Sequence, residues 1–259
     1  MVACKIVFNF EDKERTRGEK ELLGAIEGSK WIKRWELLLQ MLFSVLADTA
    51  IRLMREMESK GGIKPGTGGP SWEVPLGRRD SLDASVQGSN NNLPAPNSTL
   101  SSIITKFKLQ GLDIVDVVAL SGAHTIGDTR CVSFRQRLYN QSGNGVPDFS
   151  LNPAYAAGLR TKCPSSGGDQ NLFFLDLVTP FKFDNQYFKN LLVYNGILNS
   201  DEVLFTQSAQ TMELVKLYAE NNELFFEQFA KSMVKMGNIS PLTWPMGEIR
   251  KNCRRVNHH

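Results

Sequence analysis

The segment 113–127 limits the possible folds of this chain more than any other stretch. It reads DIVDVVALSGAHTIG and contains His124, the one histidine of the 259-residue sequence outside the C-terminal pair. Asp113 suits a helix start, and Asp116 then falls in the first helical turn, where a negative charge complements the helix dipole. The spacing predicts a short helix with one face formed by Val117, Leu120, Ser121 and His124.

Small residues surround this histidine. Gly122 and Ala123 precede it and remove bulk beside the imidazole, and Gly127 permits a turn after it. A histidine beside an open, smooth space suits a flat ligand. A buried, hydrogen-bonded structural histidine at a helix end fits the same residues. This segment alone leaves both interpretations open.

Size and charge exclude several classes of function. The chain is long enough for one large domain or two small ones. A net charge of +3, with the basic residues dispersed, gives no basic-aromatic array for binding nucleic acid. No apolar run reaches the length of a membrane span. The charged N-terminus lacks the apolar core of a signal peptide. We therefore expect neither a nucleic-acid nor a membrane partner.

Cysteines and glycosylation sequons bear on the cellular compartment. The four cysteines include no C-x-x-C pair, which argues against structural zinc. Three N-glycosylation sequons begin at Asn97, Asn140 and Asn238. Together they favour a secretory route, in which disulfides persist. That expectation conflicts with the apparent lack of a signal peptide.

Helical periodicity dominates the second half of the chain. Apolar spacing predicts helices that include 100–107, 131–138, 187–192 and 212–219. A last helix carries a Phe/Met stripe over 225–236, which we interpret as core rather than as a cofactor site. Convincing strands are few, so we expect a mainly α fold.

Polar stretches separate these helices. They predict loops at 86–98 and 140–171 and a turn at 199–201. A connection as long as 140–171 needs something to hold it, and a disulfide between Cys131 and Cys163 would do so.

A cluster of oxygen-bearing side chains follows that loop. Asp176, Thr179 and Asp184 fall within nine positions, with a proline turn between them. Oxygen ligands packed so closely suit a hard cation such as calcium. The same residues could instead form a turn that caps the following helix. The spacing leaves both alternatives open.

Five motifs in fixed order carry a resemblance to a known family. They are LSGAHTIG (120–127), GGPSWEVPLGRRDS (68–81), LPAP (93–96), FDN (183–185) and MGNISPLT (236–243). In this combination the chain closely resembles the class III secretory plant haem peroxidases from about Gly68 to its end. The resemblance implies an incomplete plant haem-peroxidase fold with its proximal half best preserved. It divides the chain into an atypical N-terminal segment, 1–67, and a peroxidase-like region with the proximal haem domain, 68–259.

The resemblance assigns a role to each matching residue. It implies that His124 is the axial ligand of the iron in haem b and that Asp201 accepts the imidazole Nδ1–H. It implies that Pro94 and Ala95 form the rim where aromatic donors dock. It also implies a disulfide between Cys131 and Cys163. The implied calcium ligands are Thr125, Asp176, Thr179, the Lys182 backbone carbonyl and Asp184.

The family's activity and location follow as further expectations. The resemblance implies a monomeric oxidoreductase that uses hydrogen peroxide to oxidise small phenolic donors in one-electron steps. It also implies a glycoprotein that is secreted to the cell wall or directed to the vacuole.

The first 67 residues depart from the family's pattern. No histidine precedes His124, and we find neither the distal histidine nor the distal arginine. The segment SVLAD (44–48) resembles the family's V-S-C-A-D, but Leu46 replaces the cysteine, which leaves Cys253 without its usual partner. The competing hypothesis is therefore a truncated, catalytically impaired peroxidase-like protein that binds haem weakly or not at all.

Overall fold

The structure is a computed structural model that describes residues 67–83, 85–143, 145–252 and 255–257. The predicted N-terminal segment, apart from residue 67, lies outside these residues, as do Leu46, Cys4 and Cys253. The described residues belong to two compact units. The smaller unit contains 73–83, 85–93, 240–252 and 255–257. The larger unit contains 67–72, 94–143 and 145–239.

Helices form most of the regular structure, as the sequence predicted. They are α1 (Val86–Asn92), α2 (Leu100–Leu109), α3 (Ile114–Ser121), α4 (Cys131–Tyr139), α5 (Pro153–Arg160), α6 (Gln186–Leu192), α7 (Asn199–Thr206), α8 (Ala209–Glu220) and α9 (Asn222–Gly237). The strands β1 (Asp128–Arg130) and β2 (Leu172–Phe174) pair antiparallel, with Thr129 opposite Phe173. None of the helices in the described part of the chain has the length and hydrophobicity that a membrane crossing requires.

The smaller unit contains α1 and the segment before it. Ser85 caps α1 by accepting a hydrogen bond from the Gly88 backbone N–H. The predicted loop 86–98 is therefore wrong for residues 86–92, because the Ser85 cap supports a helix in this polar sequence. Arg79 fixes the C-terminal part of the same unit: its Nε donates to the Met246 carbonyl at 2.7 Å.

The larger unit is built around what we call the aromatic core. Apart from Leu112, its buried members come from α2, α3 and α6–α9. They include Val117, Val118, Phe188, Leu191, Leu204, Val215, Tyr218, Phe225 and Phe229. The Phe/Met stripe of α9 belongs to this core, because Phe225 and Phe229 are buried and Phe226, Met233 and Met236 pack against it. The interpretation of the stripe as core is confirmed.

Helix α3 crosses the aromatic core and begins as predicted. Asp113 accepts from the backbone N–H groups of Val115 and Asp116, while the Asp116 carboxylate accepts from the Asp113 N–H, which completes a capping box. Asp116 is buried and also accepts from Ser232 Oγ at 2.7 Å and from Lys235 Nζ at 2.8 Å. These bonds tie the start of α3 to α9 and satisfy the buried carboxylate.

A second part of the larger unit, the disulfide region, extends from Cys131 to Cys163. A disulfide joins these two residues, the pair that the resemblance implies. The predicted structureless connection 140–171 is wrong over residues 153–160, which form α5. Asn152 caps this helix, and Pro153 occupies its first turn, where a missing N–H costs no helical bond.

A buried arginine organises the disulfide region. Arg137 Nε donates to Asp148 Oδ2 at 2.7 Å, and its Nη1 donates to the backbone carbonyls of Gly196 and Leu198. The Arg137 side chain is fully buried, so these partners compensate its charge in a low-dielectric interior. The guanidinium thereby connects α4 to the segment that leads into α7.

Candidate functional site

His124 lies in a 3₁₀ turn, Gly122–Thr125, which follows α3 directly. The prediction that His124 continues the face of the α-helix is therefore wrong, because α3 ends at Ser121. Gly122 is buried under the aromatic core: a Cβ at this position would lie 2.5 Å from Phe225 Cε2 and 2.8 Å from Phe188 Cζ. Thus Gly122 lets the turn approach these two rings, a role that we did not predict.

A carboxylate orients the imidazole. Asp201 Oδ1 lies 2.7 Å from His124 Nδ1, and the exposed fractions of the two side chains are 3% and 37%. Burial opposes a positive charge on the imidazole, but the charge and hydrogen bond of Asp201 outweigh it and raise the pKa of His124. Among the described residues, the ring makes its hydrogen bond through Nδ1, which leaves Nε2 for a ligand.

Asp201 lies in the first turn of α7, so the predicted turn at 199–201 is wrong. It is 2% exposed and contacts His124 of the 3₁₀ turn, although it lies in a polar stretch of the sequence. The N-cap residue of α7, Leu198, makes no side-chain capping bond. The usual sequence signal of a helix start is therefore missing here.

A tyrosine in the predicted helix 187–192 contacts both His124 and Asp201. The sequence indicated no role for it beyond the apolar spacing of that helix. Tyr187 Oη donates to Asp201 Oδ1 at 3.1 Å, and the ring edge meets the imidazole of His124 with centroids 6.1 Å apart. Burial and the nearby Asp201 carboxylate raise the pKa of Tyr187 well above its ordinary value. The phenol therefore stays protonated and acts as a hydrogen-bond donor.

The residue after His124 belongs to a cluster of oxygen atoms. Thr125 Oγ1 lies 3.3 Å from Asp176 Oδ2, 3.4 Å from Asp184 Oδ1 and 3.4 Å from the Lys182 carbonyl oxygen. Thr179 Oγ1 lies 3.2 Å from Asp176 Oδ2 and 3.1 Å from Asp184 Oδ1. The five residues predicted as calcium ligands thus come together in one cluster.

The charge of this cluster suits a hard cation. Asp176 and Asp184 are both buried, and the nearest described cation is the Lys182 ammonium, 3.4 Å from Asp184 Oδ2 on a side chain that is 68% exposed. So exposed an ammonium compensates a buried carboxylate weakly. Carboxylate and carbonyl oxygens are the ligands that calcium prefers. The cluster offers two carboxylates and one carbonyl, and the hydroxyls of Thr125 and Thr179 add two further oxygen atoms.

The same carboxylates also stabilise local turns. Asp176 Oδ1 accepts from the backbone N–H groups of Val178 and Thr179 and from Asn190 Nδ2. Asp184 Oδ1 accepts from the Gln186 N–H at the start of α6. The two interpretations of this segment are therefore compatible. No group of three His, Cys, Asp or Glu side chains converges as a metal site in the described ranges, so a cation here depends on hydroxyl and carbonyl oxygens.

The residues predicted as the donor rim lie in the loop that precedes α2, and this loop contacts the start of α7. Within that loop, the Ala95 N–H donates to Ser98 Oγ at 2.9 Å. Ser200 N–H donates to the Pro96 carbonyl at 3.0 Å, and Asn199 Nδ2 donates to the Ser98 carbonyl at 2.9 Å. Pro94 and Ala95 are thereby attached to the helix that carries Asp201.

Two groups of predicted residues thus meet in the sequence pair His124–Thr125. His124 joins Asp201, and Thr125 joins the oxygen cluster. Sequence reasoning missed Tyr187 and Asn190, which support Asp201 and Asp176 respectively. Their only sequence signal was polar atoms within an otherwise apolar helical pattern.

Comparison with known proteins gives this arrangement a context. The family described as Peroxidase matches residues 43–221. Peroxidase 72 of Arabidopsis thaliana is 72% identical over 192 residues, which are 74% of this chain and 57% of that protein. Peroxidase 15 of the same plant is 68% identical, with the same coverage of both chains. Peroxidase 4 of Vitis vinifera is 50% identical over 73% of this chain and 57% of its own length. The chain therefore spans a little over half the length of these curated relatives.

Proposed function

This chain belongs to the plant peroxidase family, and on that premise we propose that it provides the proximal side of a haem peroxidase site. The proposed reaction is the oxidation of small phenolic donors by hydrogen peroxide in one-electron steps. The supporting observation is the 2.7 Å contact between Asp201 and Nδ1 of a histidine whose other nitrogen is available.

The residues present fit haem b. When bound, the haem iron supplies the redox chemistry with peroxide. His124 would hold the iron through Nε2, because Asp201 keeps the proton on Nδ1 and fixes the ring orientation. A carboxylate on the second nitrogen also raises the basicity of a metal-bound imidazole. Burial of Asp201 strengthens this effect, since little water competes for its oxygen atoms.

The oxygen cluster would hold calcium beside this ligand. Thr125 would bind the cation through its hydroxyl oxygen, and His124, the residue before it, would hold the haem. Calcium would then stabilise the 3₁₀ turn by neutralising the buried carboxylates of Asp176 and Asp184. Titration of the purified chain with calcium should raise its melting temperature, and Asp176→Asn should abolish that rise. A calcium-induced rise that persisted in Asp176→Asn would contradict the assignment.

Haem titration tests the central proposal. We expect the wild-type chain to give a Soret band with a histidine-ligated spectrum, and His124→Ala to lose that spectrum. External imidazole should restore ligation in the variant, because the truncation leaves space beside Asp201. A wild-type spectrum retained by His124→Ala without imidazole would show that His124 is structural. Failure of the folded wild-type chain to bind haem would overturn the proposal itself.

A catalytically impaired relative remains the competing function, since His124 is the only histidine before the C-terminal pair. A positioned acid–base group contributes roughly 10²–10⁴-fold to proton-transfer steps. We therefore expect the haem-loaded 259-residue chain to react with peroxide more slowly than a full-length relative by about that factor. Stopped-flow mixing with peroxide measures this rate. An ordinary peroxidase rate would show that residues 1–67 provide a distal group.

The proposal extends to a secretory route with attached glycans. The sequon asparagines Asn97, Asn140 and Asn238 are all exposed in the described part of the chain, so an oligosaccharyltransferase could reach each one. Pro94 and Ala95 are proposed to form the donor rim near the first of these sequons. Mass spectrometry of plant-expressed protein, before and after glycosidase treatment, tests each sequon separately.

A further inference from the structure

One oxygen of Asp201 accepts two hydrogen bonds. His124 Nδ1 lies 2.7 Å and Tyr187 Oη 3.1 Å from the same atom, Oδ1. We infer that Tyr187 is a positioning residue for His124, the residue that would hold the haem: its hydroxyl shares Asp201 Oδ1 with His124 and limits how strongly the carboxylate polarises the imidazole. This inference rests on the proposed function for its consequence at iron, but the contact itself exists without haem.

The surroundings of Tyr187 hold its hydroxyl in place. Tyr187 is 2% exposed, and its ring makes edge contacts with Phe188, at a centroid distance of 5.0 Å, and with the imidazole of His124. A buried hydroxyl needs an acceptor, and the recorded acceptor of this one is the oxygen that orients His124. The ring and the carboxylate therefore restrain each other.

A shared acceptor has a definite electronic consequence. A phenol that donates to a carboxylate stabilises the negative charge, so that oxygen attracts a second donor less strongly. Removal of the phenol should strengthen the His124–Asp201 hydrogen bond and make the imidazole a more basic ligand. Tyr187→Phe and Asp201→Asn should therefore change the ligand in opposite directions.

The haem-free chain provides the first test. In Tyr187→Phe, we expect the NMR resonance of the His124 Nδ1 proton to move downfield, as it does when a hydrogen bond strengthens. Tyr218→Phe is the matched control, because it removes the hydroxyl of another buried tyrosine that packs on Phe188 and Phe225. A resonance that stayed in place in a folded Tyr187→Phe chain, or that moved equally in the control, would overturn the inference.

The haem-loaded chain provides the second test. We expect Tyr187→Phe to shift the ferric–ferrous equilibrium about tenfold towards ferric haem, or about 59 mV lower in potential for one electron. This shift should disappear in the Asp201→Asn background, since Tyr187 acts through that carboxylate. An equal shift in both backgrounds would show a packing effect and overturn the inference.

The two tests separate this inference from the proposed function. If the folded wild-type chain binds no haem, but the His124 Nδ1 proton of haem-free Tyr187→Phe moves downfield, only the proposed function is contradicted. Normal haem binding with no shift of either the resonance or the potential contradicts the role of Tyr187 alone. If Tyr187→Phe failed to fold, Asp201→Asn supplies the remaining measurement in the haem-free chain. The Tyr187 hydroxyl proton should move upfield there together with the His124 Nδ1 proton, because both donate to the replaced carboxylate. A hydroxyl resonance that stayed in place while the Nδ1 resonance moved would contradict the shared acceptor.

Discussion

The aromatic core and the disulfide region are stabilised in different ways. In the core, helices pack through aromatic rings such as Phe188 and Phe225, whose centroids lie 4.9 Å apart. In the disulfide region, a covalent bond closes a separation of 32 residues around the buried Arg137–Asp148 pair. Phe188 and Phe225 of the core pack against Gly122 in the turn that carries His124. The His124 imidazole makes its hydrogen bond to Asp201 and, within the part of the chain that the structure describes, none to the disulfide region.

The two regions meet at the start of α7. Ile197 and Leu198 pack with the disulfide region, while Val203 and Leu204 belong to the aromatic core. Asp201 lies between these pairs along the chain. The position of its carboxylate therefore depends on both regions, although its hydrogen-bond partners are Tyr187 of the core and His124 of the 3₁₀ turn. This difference predicts unequal consequences for matched changes in the two regions.

The largest expected effect on stability comes from removing the disulfide. Replacement of both Cys131 and Cys163 by alanine should reduce the free energy of unfolding by about 3–4 kcal/mol, because the unfolded chain loses a constraint on its long loop. Urea unfolding measures the loss. The His124 environment should keep its Nδ1 proton resonance under native conditions, since the core holds the turn. A lost resonance in the folded variant would show that the two regions are not separable.

Alanine substitutions at one glycine in each region test how closely that region is packed. Gly122→Ala should cost about 1–3 kcal/mol, because its Cβ would overlap the Phe225 ring in a closely packed core. Gly158→Ala is the control in the disulfide region: a Cβ there meets no atom within 4 Å, and alanine favours the helix by about 0.5–1 kcal/mol. Thermal unfolding of both variants measures the contrast, and equal effects of the same sign would refute it.

Glu202 lies at the border of the two regions and gives the smallest expected effect. Its side chain is buried, and its Oε2 accepts the Gly196 N–H at 2.9 Å. Burial raises the pKa of Glu202 to about 8, although Arg137 and the Gly196 hydrogen bond lower it in part. Since the folded pKa exceeds the unfolded one, the contribution to stability is complete below the unfolded pKa and is lost as pH rises through about 8.

The substitution Glu202→Gln should remove this dependence. Between pH 7 and pH 9, the wild-type chain should lose roughly 1 kcal/mol more unfolding free energy than the variant. Chemical denaturation at both pH values gives the difference. Parallel profiles for the two proteins would mean that Glu202 is ionised throughout this range, and so would contradict its raised pKa.

Local patterns predicted a large part of the fold and of the candidate site. Strong helical periodicity located α2, α4, α8 and α9, and the Asp113 cap located the start of α3. The predictions failed where the sequence is polar. Helices α1, α5 and α7 lie in stretches predicted as loops or turns. The Ser85 and Asn152 caps support α1 and α5 locally, whereas α7 has no side-chain cap and depends on the burial of five of its residues.

The sequence by itself determined the composition of the site. One internal histidine and the oxygen-bearing residues of 176–184 were sufficient to propose a haem ligand and a cation site, and the resemblance carried by the ordered motifs added Asp201, Thr125 and Lys182 to the proposal. These are matters of residue type and spacing, which a linear chain carries directly. A sequence also shows that Gly122 and Tyr187 are present, but it does not show what surrounds them.

Only the tertiary structure decided which atoms share a hydrogen bond. Asp201 lies 77 positions from His124, and Tyr187 lies 14 positions from Asp201 on a different helix. Their convergence depends on how α3, α6 and α7 pack, and a shift of about 1 Å would break a hydrogen bond of this length. Helical periodicity predicts which face of a helix is buried, but not its position to that precision. The second donor on Asp201 therefore became visible only in the folded chain.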